Sequence, residues 1–162
     1  MFKYALQIII GILTFMVATF IAWYEGSALI NNSIEWKYST PFTKLYNIEI
    51  TTGQDISQLD YFVYAVKFQP LFPTLMIVSI LYILGVTGYY LIKSKSKWAI
   101  GFWGFLGFIM ILFSSLTFNS STTGGSIFFW ITSISGLLFI AGAVLLSLRK
   151  FKYIGSGVNL IS

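Results

Sequence analysis

Apolar residues along this chain come in four long stretches, at about residues 4–24, 71–92, 98–118 and 127–148. None of the four contains a charged side chain. Each approaches the roughly 20 residues that a helix needs to cross about 30 Å of hydrocarbon. The pattern predicts an all-α membrane protein. Its architecture is a four-transmembrane-helix bundle forming a single membrane domain over residues 1–162. The short links after the second and third stretches make those helices antiparallel neighbours. Residues 25–70, between the first and second spans, are too many for a bare connection and signal structure of their own.

Within that segment, residues 34–40 and 46–52 alternate crudely between apolar and polar positions and are rich in strand formers. They predict a short, loose β hairpin around Pro41 and Phe42. Asp55-Ile56-Ser57-Gln58, ahead of Ser57-Gln58-Leu59-Asp60, is the better capping-box candidate for a helix that follows. Leu59, Phe62, Val63 and Val66 then fall at helical spacing. Pro70 and Pro73 require a stop or kink. The expectation is a partly β cap, a short hairpin plus an interfacial helix, then a bend into the second span.

Charge sets the orientation. Lys3, Lys93, Lys95, Lys97, Arg149, Lys150 and Lys152 all fall on one side of the four spans, with no acid among them. The positive-inside rule makes that side the cytoplasm, with both termini there and residues 149–162 a cytoplasmic tail. Gly155-Ser156-Gly157 reads as its flexible end. Glu25, Glu35, Glu49, Asp55 and Asp60 fall on the other side, so residues 25–70 are an extracytoplasmic cap. Composition agrees: 57% of the 162 residues are hydrophobic and 9% charged, against about 25% charged in an ordinary soluble domain. The bases flank apolar runs, so the net charge of +5 speaks for topology and not for nucleic acid. They can also attract anionic lipid, at about 1 kcal/mol per residue.

The chain has no Cys and no His, which excludes thiolate nucleophiles, disulfides, Cys/His zinc sites and imidazole bases. No cofactor or metal site is expected. No carboxylate or base lies inside a span, which argues against a carrier or channel. Ser94-Lys95-Ser96-Lys97 matches S-x-x-K only as a basic turn. The sequons Asn31-Asn32-Ser33 and Asn119-Ser120-Ser121 fall on the outer side and are treated as chance. Small residues at Gly101, Gly104 and Gly107, and at Ser135, Gly136, Gly142 and Ala143, are expected to let helices approach closely. At the end of the first span, Trp23 and Tyr24 suit the headgroup layer, Glu25 is the first residue free to face water, and Gly26 permits a turn.

AWYEGS and DISQLDYFVYAVKFQP resemble a family of small integral membrane proteins of Gram-positive spore-forming bacteria, classed as a domain of unknown function. The resemblance covers about the first half of the chain. It implies a bacterial plasma membrane and supplies no activity. The expected function is that of a non-enzymatic cell-envelope protein, an accessory, sensor or interaction protein acting through the outer cap. Trp23, Tyr24, Glu25, Glu35, Trp36, Tyr38, Asp60, Tyr61 and Tyr64 are the expected contacts. Its partners would be the lipid bilayer and either another membrane protein or a second copy. The alternatives are a lipid- or cell-wall-directed enzyme using external carboxylates and a small carrier or channel.

Overall fold

A computed structural model describes residues 2–94, 96–118 and 122–158. Lys95 and the sequon at 119–121 lie outside them. Among the described residues the regular structure is entirely helical, with α1 at Phe2–Gly26, α2 at Trp36–Ser39, α3 at Pro41–Leu45, α4 at Gln58–Phe68, α5 at Leu71–Ser94, α6 at Ser96–Thr117 and α7 at Thr123–Val158. Short 3-10 turns occupy Ser27–Asn31 and Gly53–Asp55. The expected β hairpin is absent: residues 34–52 form α2, α3 and irregular chain.

Phe2–Asn31, Leu71–Lys93, Trp98–Ser115 and Thr123–Arg149 are helical, long and apolar enough to cross a membrane. Their large side chains point outward, among them Phe20, Phe105, Phe113, Leu138 and Leu145. Apolar surface on that scale is unfavourable in water, at about 25 cal/mol per Å², and a bilayer relieves it. The bend expected before the second span is present. Gln69 closes α4 with non-helical dihedrals, Pro70 follows, and α5 starts at Leu71. At the other end of the chain, α7 continues through Gly155-Ser156-Gly157 to Val158 instead of loosening after residue 148. No proline interrupts it there.

The chain divides into two compact units, one of Met1–Ile83 with Ser120–Ile127, the other of Leu84–Asn119 with Phe128–Ser162. In the first, α1 buries Gly11, Ala18, Ala22 and Gly26 along one face. A Cβ added at Gly11 would press on Ile83 and Tyr82 of α5. At Gly26 it would come 2.5 Å from the Tyr61 carbonyl carbon and closer still to its oxygen. Gly26 keeps helical dihedrals, so it serves close approach to α4 and not the turn expected of it. Gly124, in the first turn of α7, meets the backbone of Val66 in the same way.

In the second unit, Trp103 of α6 lies against Gly88 and Gly142 and stacks edge-on to Phe139, 5.3 Å between ring centroids. Gly107 faces Ile140 and the Gly136 carbonyl, where a Cβ would stand 3.0 Å from that oxygen. Gly104 has room, with the Cβ of Ala143 3.9 Å away, and Gly101 faces open space. Ala143 is buried and Ser135 half-buried. The hydroxyls of Ser114 and Ser133 bond to each other between α6 and α7.

Candidate functional site: a helical cap and the cleft beside it

The segment between α1 and α5 folds around a small core of Leu29, Ile56, Tyr61 and Tyr64, flanked by Ile30, Trp36 and Ile50. Two local signals override the strand-like alternation. Pro41 sits at the first position of α3, where its missing N–H costs nothing. Asn47 then adopts φ 54°, a left-handed conformation that asparagine tolerates. Its amide donates to the Lys44 carbonyl and that of Ile48 to the Thr43 carbonyl, at 3.0 and 3.1 Å. That pair of bonds is the Schellman ending of a helix. A two-stranded ribbon has no comparable support on its own.

Asp60 is the centre of the cap. It lies on α4, is 0% exposed, and accepts from the amides of Phe42 at 2.9 Å and Thr43 at 2.8 Å. These are free amides of the first turn of α3, so a carboxylate 17 residues away does the work of a local N-cap. The Thr43 hydroxyl donates to the same carboxylate at 2.5 Å and accepts from the Ser57 amide at 2.8 Å. Ser57 in turn caps α4 by accepting from the Leu59 amide at 3.4 Å. Asp60 had been expected on a binding surface; burial and these bonds assign it to the interior.

The cap lysines are also engaged. The Lys67 ammonium donates to the Tyr38 carbonyl at 2.7 Å and to the Ser39 hydroxyl at 3.0 Å, while that hydroxyl donates to Glu35 at 2.8 Å. Lys44 donates to the Lys37 carbonyl. Both cations satisfy carbonyls at the end of α2. Trp36 donates its indole N–H to the Leu29 carbonyl at 2.9 Å. Tyr64 accepts weakly from Asn32 at 3.4 Å.

Asp55 does not start α4. With Thr52 it forms a capping box that closes the 3-10 turn Gly53–Asp55. Bonds from the backbone of Thr52, the side chain and backbone of Thr51 and the side chain of Thr52 lower its pKa from 3.8 to about 2. A depressed acid contributes stability that is whole above its unfolded value and is lost as pH falls through the folded one. The Thr51 and Thr52 amide resonances are therefore expected to hold steady down to about pH 4 and to titrate with a midpoint near 2. An NMR titration in micelles checks this; a midpoint at 3.8 would show that the turn does not form.

The expected contact residues thus separate into two groups. Asp60, Tyr61 and Tyr64 are inside the cap, with Trp36 and Glu35 half-buried beside it. Trp23, Tyr24 and Tyr38 are exposed. Glu25 belongs to neither group. It sits in the last turn of α1 and lines an open cleft of about 780 Å³ with the bend at Gln69 and Pro70, the start of α5, and Ile127. One Glu25 carboxylate oxygen, Oε2, is shielded and has no hydrogen-bond partner; the same holds for the hydroxyl of Thr74 across the cleft wall. Thr43, Lys67 and Thr74 escaped sequence reasoning. An Ala18-x-x-x-Ala22-x-x-x-Gly26 spacing was available as a sign that something packs closely at the end of α1.

Residues 5–92 match the family described as "Domain of unknown function (DUF4306)". The chain is also 36% identical over 80 residues to the "Uncharacterized protein YjdJ" of Bacillus subtilis (strain 168), a stretch covering 48% of this chain and 73% of that protein. No solved structure matches. The matched region holds the whole cap and nearly all of α1 and α5.

Proposed function

The chain belongs to the DUF4306 family, and from that premise we propose that it is a multi-pass plasma-membrane protein whose cap is a non-enzymatic contact module for another membrane or envelope component. Both termini are cytoplasmic in this reading, because the cation clusters at Lys93, Arg149 and their neighbours share one side that carries no acid. The cap then stands outside. The observation that carries the proposal is a set of large apolar side chains exposed on a cap whose own bonds fix its shape. Ile34 is 78% exposed, Leu45 72% and Tyr38 64%. A rigid module presenting such groups suits recognition, since little ordering is needed on contact. The fate of two carboxylates supports a non-enzymatic role: Asp55 and Asp60 are turned onto backbone amides of the cap.

Photoreactive side chains placed at positions 34, 38 and 45, irradiated in native membranes, are expected to give one adduct of common mass. An Ile34→Glu change should remove the adducts at 38 and 45. Adducts to lipid alone at all three positions would sink the reading. An adduct of twice the protein's mass would identify a second copy as the partner. A protease added to intact cells should reach the cap and spare tags at both ends.

A further inference from the structure

The cleft between the end of α1 and the start of α5 has apolar walls from Leu71, Phe72, Leu75 and Ile127, and polar groups from Glu25, Gln69 and Thr74. On two of these residues one polar atom, Oε2 of Glu25 and the Thr74 hydroxyl, is shielded and without a partner. Thr74 differs in this from several other hydroxyls of the spans. Thr14, Thr19, Ser79 and Thr132 each return their hydroxyl to a carbonyl one turn back. Leaving a shielded polar group unpaired costs about 1–3 kcal/mol. Nor does the cap supply a cation to Glu25. Lys44 and Lys67 are bonded to the end of α2, and Lys37 lies over the Tyr38 ring at 5.9 Å.

We propose that this cleft seats the head of a lipid bearing a primary ammonium group. Its ammonium pairs with the Glu25 carboxylate, the Glu25 and Thr74 side chains turning from their shielded positions to meet it, and the upper part of an acyl chain lies along Phe72 and Leu75. A carboxylate at the end of a membrane-crossing helix complements that cation. The exposed rings of Trp23 and Tyr24 mark the level of the headgroups. A quaternary ammonium has no N–H to offer, and an anionic head meets a like charge. The volume, about 780 Å³, is within the ordinary range for ligand sites. The site rests on the membrane reading and is independent of what the cap's outer residues contact.

The test uses full-length protein from washed membranes, reconstituted in phosphatidylcholine nanodiscs. Each contains a trace of one acyl-diazirine lipid: phosphatidylethanolamine, phosphatidylcholine or phosphatidylglycerol. The peptide carrying residues 69–75 should be labelled by the ethanolamine lipid about fivefold more than by either other, the equivalent of one net hydrogen bond. Glu25→Gln should bring that labelling to the phosphatidylcholine level, and Thr74→Val should lower it by less. Equal labelling by the three lipids overturns the proposal. So does a preference that survives Glu25→Gln. A photoreactive group at position 71 that captures a protein and no phospholipid would give the cleft to a partner helix instead. Should Glu25→Gln fail to accumulate, the three-lipid comparison on the unaltered protein decides alone. Absence of the protein from washed membranes would remove the membrane reading itself.

Discussion

Replacing Asp60 with alanine is expected to melt the segment between α1 and α5 while leaving the protein in the membrane fraction. The carboxylate is fully buried and accepts three hydrogen bonds, two from amides at the start of α3 and one from Thr43. Bonds to a charged acceptor contribute about 1.5–3 kcal/mol each, and its removal strands the buried donors as well. A loss of about 3 kcal/mol or more follows. That is a large fraction of what a core built on Leu29, Ile56, Tyr61 and Tyr64 can supply. Asp60→Asn keeps one oxygen and should retain part of the stability. Limited proteolysis and amide exchange across residues 27–69 read the effect. The spans, where apolar length alone keeps each helix in lipid, should stay protected. Unchanged protease resistance in Asp60→Ala would refute the role assigned to the carboxylate.

The second large effect is expected at Gly26. A Cβ there would run into the backbone of Tyr61, which cannot rotate away as a side chain could. Overpacking a tight contact costs about 1–3 kcal/mol, and Gly26→Val should reach or exceed the top of that range because α1 and α4 must separate. Gly85→Ala supplies the control. A Cβ at Gly85 meets nothing within 4 Å, so the change should be neutral or raise stability by up to about 1 kcal/mol through helix propensity. Thermal unfolding in detergent, followed by size-exclusion chromatography, separates the two. Similar melting for both variants would mean that the α1–α4 contact contributes little.

Much of the architecture was legible because it depends on length and punctuation. A charge-free run of about 20 residues has few alternatives to a spanning helix, and Pro70 with Pro73 announces the bend before α5. The cap was harder, for reasons visible in particular residues. Helices of four and five residues, such as α2 and α3, are too short to display a 3.6-residue period. Their side chains alternate by accident, and β propensity then favours the wrong element. What stabilises α3 comes from outside its own stretch, from Asp60 at one end and the αL geometry of Asn47 at the other. In Ser57-x-x-Asp60 the serine caps α4 as the motif suggests, but the aspartate turns to another helix. The candidate contacts divided on the same ground. Tyr38 is exposed on α2, while Tyr64 is buried against Leu29 and Ile56, residues about 35 and 8 positions away, a grouping that no local pattern encodes. Glu25 stood out from the first as the lone acid at the end of an apolar run. Its neighbour in the cleft, Thr74, looked like any other hydroxyl in a span.

The bond from Asp60 to α3 also imposes a sequence of events on a chain made from its N-terminus. Residues 42 and 43 leave the ribosome well before residue 60, so α3 waits without its acceptor until α4 has been synthesised. The bonds at Asp60 can therefore close only after α4 has been made, immediately ahead of the segment that becomes α5. Since there is no cysteine, that step needs no oxidising partner and can run to completion in a fully reducing environment.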